Sequence, residues 1–323
     1  MITRCILKIL HFIYQSAMSL SALVGIKPDT LRQWMTVLAR PFLHLWFFKN
    51  PRPLSLNHFK VYWRPSWLIL DWITGKYEPG TTRIMEHLVH PGMTVVDIGA
   101  NIGYYVLQES EILGSDGNIF AVEPVPQNLS YLCRNIALNR ISNVVVYERA
   151  VGAKASPAKM YLHRESNLGS LVPPVTWSET REVNVNTLDG LFPNALYIDL
   201  VRMDIEDFEA EALREMKNIL NKYRPCLFIE LHTLILKFET SKNFLLALQG
   251  KGFETEYLVD KVFEHALVSG RGSGKYIETL PIDKLLNDGS VRESRVTCMI
   301  FFRNIVQQTA ESHRIPAFSL SVI

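Results

Sequence analysis

Three clusters of polar residues interrupt apolar runs in this chain, and their types and spacing could do chemistry. In "TVVDIGANIGYYVL", residues 94–107, a strand-like run ends in Asp97 and is followed by Gly99, Asn101 and Gly103 before a helix-like segment. "FAVEP" then places Glu123 at the tip of a second run, and "VRMDIEDFE" offers Asp204 and Glu206 after a later one. Glycines let a backbone turn tightly and approach a ligand closely. A helix N-terminus presents free N–H groups, and an acid at the end of the second strand can accept hydrogen bonds from both hydroxyls of a ribose.

The glycine spacing separates the ligands that such a turn can hold. Dinucleotide sites use G-x-G-x-x-G, because a pyrophosphate must rest against the helix N-terminus. Here the pattern is D-I-G-A-N-I-G, with two glycines and an acid before the first. A carboxylate aimed into the loop repels a pyrophosphate and suits a ligand with an amino group and no phosphate. S-adenosylmethionine, with its ammonium, sulfonium and ribose, has that chemistry. Glu123 alone does not discriminate, since it would serve NAD equally; Asp97 and the missing third glycine do. Taken singly, Asp97 reads as a satisfied loop acid, Asn101 as a turn former and Glu123 as a surface charge. Together they point to a nucleoside-containing cofactor.

These residues need a scaffold, and the chain alternates strand and helix signals from residue 78 onward. Strand-like runs cover 94–98, 118–122, 143–147, 200–205 and 226–231. Residues 126–139 begin with proline and put Leu129, Leu132, Cys133 and Ile136 on one face, which predicts a helix. Residues 207–222 have acids first and lysine last, which predicts a second helix. Such alternation implies a doubly wound α/β fold with a mostly parallel sheet. Residues 160–164 and 182–187 alternate polar and apolar side chains and suggest an inserted antiparallel pair. "GFETEYLVD" and "RVTCMIFFRN" are expected to close the sheet as an antiparallel terminal hairpin around a flexible "SGRGSGKYIETLP" loop. The expected organisation is an N-terminal helical extension over 1–70, a catalytic domain over 71–305 and a C-terminal tail over 306–323.

The chain is 48% hydrophobic and 20% charged, ordinary for a protein with a sizeable core. Its four cysteines are widely spaced, which argues against a zinc site or a disulfide framework and fits a reducing compartment; no metal site is expected. Charge is lopsided. Residues 1–70 hold nine Lys/Arg and one acid, a charge of +8, leaving −6 for the remainder. The apolar run at 9–26 is interrupted by His11, Gln15 and three serines, so it is marginal for a spanning helix of about 20 residues. "LRQWMTVLARPFLHLWFFKNPRP" mixes tryptophan with basic residues, as a membrane interface favours. For residues 1–26 a signal anchor, a signal peptide and an interfacial amphipathic helix all stay open. For the basic stretch as a whole the readings are helices that cover the flank of the catalytic domain, or contact of residues 1–50 with an anionic membrane surface.

The motifs "YEPG", "VVDIGANIGYY", "FAVEPVPQNLSYLCRNIALN", "RAVG", "SNLGSL", "VNVNTLDG", "VRMDIEDFEAEAL" and "PCLFIELH" occur in that order between residues 77 and 232. In this the chain resembles the FkbM family of S-adenosylmethionine-dependent methyltransferases. The resemblance implies the Rossmann-like class I methyltransferase fold. It implies that Asp97, Gly99, Asn101 and Gly103 line the methionine side of S-adenosylmethionine, that Glu123 holds the ribose, and that Glu78 of "YEPG" sits near the cofactor. Two positions depart from the family pattern: Arg202 stands where lysine is usual, and Asp207 where glycine is usual.

Asp204 and Glu206, two apart on a predicted strand, should share a face at the carboxyl edge of the sheet. Methyl transfer to oxygen needs the acceptor hydroxyl aligned with the methyl group and a group that lowers its proton affinity. Asp204 is expected to orient or deprotonate the acceptor, with Glu206 assisting or fixing the loop, whereas Asp207 reads as a helix cap. Glu230 and His232 should face the same cleft, His232 as a merely hydrogen-bonded residue. The expected function is O-methylation of a small-molecule, glycan or lipid-linked acceptor, cytoplasmic or docked on the cytosolic face of a membrane. The acidic core makes a nucleic acid partner unexpected. The alternative is a catalytically weak or inactive nucleoside-binding module anchored by its N-terminus. An NAD-dependent oxidoreductase is disfavoured by the two-glycine loop.

Overall fold

A computed structural model of the chain describes residues 53–56, 58–62, 77–162, 169–173, 177–192, 197–206, 208–232, 238–260, 277–278, 281–287 and 297–304, with Phe12 and Ser16. The expectations for residues 1–50 apart from Phe12 and Ser16, for Asp207, for most of the 269–281 loop and for the 306–323 tail lie outside them. A hairpin of β1 (Leu54–Leu56) and β2 (Phe59–Val61) comes first. Then follow α1 (Pro79–Leu88), β3 (Thr94–Ile98), α2 (Tyr104–Leu113), β4 (Asn118–Val122), α3 (Pro126–Leu138) and β5 (Val144–Tyr147). An insertion contributes β6 (Ala150–Val151), β7 (Ser156–Leu162), β8 (Gly169–Ser170), β9 (Glu179–Asn186) and α4 (Leu188–Leu191). The alternation resumes with β10 (Leu200–Met203), α5 (Glu209–Arg214), α6 (Lys217–Lys222), β11 (Cys226–His232), α7 (Phe238–Gln249), β12 (Phe253–Asp260), β13 (Ile277–Glu278), α8 (Ile282–Asn287) and β14 (Thr297–Asn304).

The main sheet has the order β13-β12-β14-β11-β10-β3-β4-β5. β5, β4, β3, β10 and β11 are mutually parallel, and β14 runs antiparallel between β11 and β12. The expected antiparallel pairing of the last two long strands is present, with the final strand inserted inside the sheet. Val95 packs in one apolar layer and Val96 and Ile98 in the other. That is the pattern of a strand covered by helices on both faces. The chain leaves β3 toward β4 and β5, then returns to place β10 on the other side of β3. The carboxyl ends of β3 and β10 therefore form the topological switch point, where such folds bind ligands.

The insertion folds as a separate four-stranded sheet, β6-β9-β7-β8, in which β7 and β9 are antiparallel. Its predicted pair is thus longer than the alternation in sequence suggests. The helix predicted over 207–222 is broken at Glu215–Met216 into α5 and α6. The Asp189 carboxylate accepts from the Asn218 and Ile219 N–H groups at 2.8 and 3.0 Å, capping the second piece from a distant part of the chain. Residues 54–61, expected within a helical extension, form the β1–β2 hairpin. Asn135 on α3 and Asn139 at its C-cap hold the hairpin: their side chains exchange hydrogen bonds with the backbones of Tyr62 and Lys60 at 2.6–2.9 Å. Asn135 is buried, whereas Cys133, expected on the inner face, is exposed. No helix among the described residues is long and apolar enough to cross a membrane.

Candidate functional site

A cavity of about 300 Å³ opens at the switch point, at the small end of the range for small-molecule sites (roughly 300–1,000 Å³). The loop after β3, the tips of β4 and β10 and the residues before α1 form its inner wall. Ala150, Val151, Met160 and Gly169 of the inserted sheet, with Leu171, form the facing apolar wall. Of the residues singled out in the sequence, Glu78, Gly99, Asn101, Glu123, Asp204, Glu206 and Glu230 line this cavity, and Asp97 and Gly103 do not. His232 contributes backbone to β11.

Gly99 has φ +83, and a Cβ there would stand 1.9 Å from the Asp204 carbonyl oxygen. Only glycine allows the β3 and β10 ends to close together at this point. Gly103, with φ +92, serves packing behind the cavity, since its Cβ would meet the Leu132 side chain at 2.7 Å. The loop is tied to β4: Gly99 and Ala100 N–H groups donate to the Val122 carbonyl. The Asn101 N–H donates to Glu123 Oε2 at 2.8 Å. Asn101 Oδ1 is buried without a hydrogen-bond partner.

Three non-glycine residues with left-handed backbones line this one cavity: Glu78 (φ 41), Asn101 (φ 51) and Glu206 (φ 56). Asparagine tolerates that region, but glutamate does so only at a cost of about 1–3 kcal/mol, and such strain gathers at functional sites. Glu206 also corrects the strand argument. β10 ends at Met203, so Asp204 and Glu206 reach the same cavity through a bent loop, held where Ser170 Oγ donates to the Glu206 carbonyl at 2.5 Å.

The core behind the cavity carries charge. β3 and β10 pair with Asp97 beside Arg202. The guanidinium donates to Asp97 Oδ1 at 2.9 Å and to Asp204 Oδ2 at 3.3 Å. Its carbon lies 4.0 Å from the Tyr105 ring centroid, and the Tyr105 hydroxyl donates to Glu78 Oε2 at 2.5 Å. Asp97 is 0% exposed, Arg202 3% and Asp204 25%. Asp97 thus faces Arg202 under α2, and its influence on a ligand passes through that partner. Burial pushes the Asp97 carboxyl up, and the Arg202 charge pulls it back. Burial opposes the Arg202 charge too, but its carboxylates, Asp97 foremost, more than offset this and raise its pKa. The 2.9 Å contact decides for a charged pair, because arginine keeps its proton.

Two further acids complete the electrostatics. Burial lifts Glu123 to about 7, against opposing donors in the Val125 and Asn101 backbones and the Asn128 amide. Glu109 on α2 is 0% exposed, and neither of its oxygens has a hydrogen-bond partner. Burial raises its pKa well above the usual range, and the Asp97 charge adds to this against the Arg202 charge. Neither Glu109 nor the bridging role of Arg202 was legible in the sequence; a lone acid one turn after "GYY" was the available signal.

A doubly wound sheet, a glycine loop at its switch point and an acid at the tip of the second strand define a nucleoside-binding fold of the class I methyltransferase kind. Residues 97–255 match the methyltransferase FkbM domain, and the methyl donor is S-adenosylmethionine. Among solved structures, the chain is similar to a putative rRNA methylase from Clostridium thermocellum (10% identity, 70% of this chain and 94% of that one, TM-score 0.40). It is also similar to the FkbM methyltransferase of Methylobacillus flagellatus KT (16% identity, 60% and 48%, TM-score 0.32). A third is Aeropyrum pernix fibrillarin with natively bound S-adenosyl-L-methionine (14% identity, 70% and 74%, TM-score 0.39). No curated protein matches significantly. The cavity fits the donor on its own terms: the buried, unpartnered Asn101 Oδ1 and the Glu123 carboxylate, both lining it, offer acceptors to its amino and hydroxyl groups.

Proposed function

We propose that this S-adenosylmethionine-dependent methyltransferase methylates a hydroxyl of a small-molecule, glycan or lipid-linked acceptor. The observation that carries the reading is that Asp204, with a partly exposed carboxylate, lines the same cavity as Gly99, Asn101 and Glu123. Gly99, Asn101 and Glu123 would hold S-adenosylmethionine, with Glu78 beside them. When bound, it would supply an electrophilic methyl carbon on a sulfonium, whose carbon–sulfur bond breaks to leave S-adenosylhomocysteine. Asp204 would accept a hydrogen bond from the acceptor hydroxyl, hold its oxygen in line and take its proton as the new carbon–oxygen bond forms. Its exposed edge lets that proton pass to solvent. Glu206, on the strained loop, would assist Asp204 or fix the loop.

The charge of the cavity bears on the acceptor. Glu78, Glu123, Asp204, Glu206 and Glu230 line it, against Arg149 and an Arg202 already engaged by two carboxylates. Such a wall disfavours a phosphate or carboxylate at the reacting end and favours a neutral hydroxylated group. It equally disfavours a nucleic acid backbone.

Purified protein incubated with methyl-labelled S-adenosylmethionine and cell extract tests the reading, with Asp204→Asn as control. Label entering an acceptor with the wild-type protein and not with the variant is the expected result. An Asp204→Asn variant that transfers at the wild-type rate would eliminate the assignment. Binding of S-adenosylhomocysteine without transfer into any extract would favour the catalytically silent module instead.

A further inference from the structure

We infer that Arg202 is a positioning residue that acts through Asp204: its planar fork, more than its charge, sets where the Asp204 carboxylate stands at the cavity. The inference rests on the methyl-transfer reading above. One arm of the guanidinium is anchored to Asp97 at 2.9 Å in a fully buried setting, and the other reaches Asp204 at 3.3 Å. Tyr105 covers the guanidinium face at 4.0 Å and is itself tied to Glu78. The guanidinium therefore cannot rotate without breaking a buried ion pair, which is strongly unfavourable.

Among the described residues, Arg202 is the one partner of the Asp204 side chain. The loop backbone has separate supports. Asp204 N–H donates to the Ile98 carbonyl, Ile205 N–H to Glu209, and Ser170 to the Glu206 carbonyl. Loss of the fork should free the carboxylate while the loop stays folded. A lysine would keep the charge, but as a point charge on a flexible stem it cannot pair with both carboxylates in one plane and stack on Tyr105. Arg202 stays protonated and takes no proton from the acceptor. It is a positioning residue and not a catalytic one.

The test compares wild type, Arg202→Lys, Asp204→Asn and the double variant, all in the full chain. Labelled methyl transfer into extract, measured against S-adenosylmethionine concentration, gives a maximal rate and an apparent KM for the donor. Arg202→Lys should lower the maximal rate about tenfold to a hundredfold, as a misplacement of about 1 Å can, with the donor KM within about threefold. It should cause no further loss in the Asp204→Asn background. Equal loss in both backgrounds, or no loss, overturns the inference. Calorimetry with S-adenosylhomocysteine should give wild-type affinity within about threefold for Arg202→Lys; a larger fall would show that Arg202 supports the cofactor loop instead. Urea unfolding of the four unliganded proteins reads the pair without turnover: midpoint shifts that simply add overturn the inference. Complete absence of transfer by the wild type, with coupled midpoints, overturns the methyl-transfer reading and leaves the pairing of Arg202 with Asp204 standing.

Discussion

Gly99 and Asp204 touch across the switch point: the space a Gly99 side chain would need is filled by the Asp204 backbone, with 1.9 Å between an added Cβ and the carbonyl oxygen. This contact joins the loop after the first parallel strand to the loop carrying the acceptor-side acid. It makes the two halves of the proposed site one structural unit. A displacement of either loop moves the other.

Gly99→Ala should therefore damage both halves. The added methyl clashes with backbone, and the left-handed φ adds strain of about 1–3 kcal/mol. The expected result is a lower urea midpoint and loss of S-adenosylhomocysteine binding by calorimetry. Wild-type binding by the alanine variant would show that the loops can separate freely.

Asp204→Asn tests the opposite case, a loss of chemistry without loss of the pocket. Methyl transfer should fall by about 100-fold or more, the scale of a removed proton acceptor. S-adenosylhomocysteine affinity should stay near wild type. A parallel fall in both would assign Asp204 to binding.

Glu123 predicts a pH dependence. Its folded value of about 7 lies above the ordinary 4.5, so between those values the folded protein keeps a proton that the unfolded chain has lost. The stability this contributes is full below pH ~4.5 and is lost as pH rises through ~7, at most about 3 kcal/mol. Ionised Glu123 is the better acceptor for ribose hydroxyls. Affinity for S-adenosylhomocysteine should thus rise between pH 6 and 8 in the wild type and stay flat in Glu123→Gln. A rise of equal size in the variant would place the titrating group elsewhere.

Asn135 links α3 to the Tyr62 backbone and to the Ile102 carbonyl in the glycine loop. Asn135→Ala leaves the buried Ile102 carbonyl and the part-buried Tyr62 backbone without this partner and should cost about 1–3 kcal/mol, read as a urea midpoint shift. An unchanged midpoint would mean that the hairpin and the loop are held by other contacts.

The basic, aromatic stretch over residues 1–50 predicts membrane contact. Full-length protein should co-sediment with anionic liposomes and release at high salt, while a chain lacking those residues should stay in the supernatant. Equal recovery of the two proteins ends that proposal.

The succession of strands along the chain, the turn at Gly99 and Asn101 and the place of Glu123 at the tip of the second strand were all legible in the chain, because they depend on local periodicity and on residues that a tight turn requires. The inserted antiparallel pair and the pairing of the last two strands were legible for the same reason. Residue spacing could not show which way a carboxylate points. Asp97 reads as a ligand-facing acid, yet strand register sets it beside Arg202, and the Tyr105 ring closes over that pair. The break in the 207–222 helix depends on Asp189, far away in sequence, capping α6. Asp204 and Glu206 converge through a left-handed bend and not through strand alternation. Local sequence sets backbone preference over a few residues. Burial and charge pairing arise between segments about a hundred residues apart, and only the folded chain brings those segments within reach.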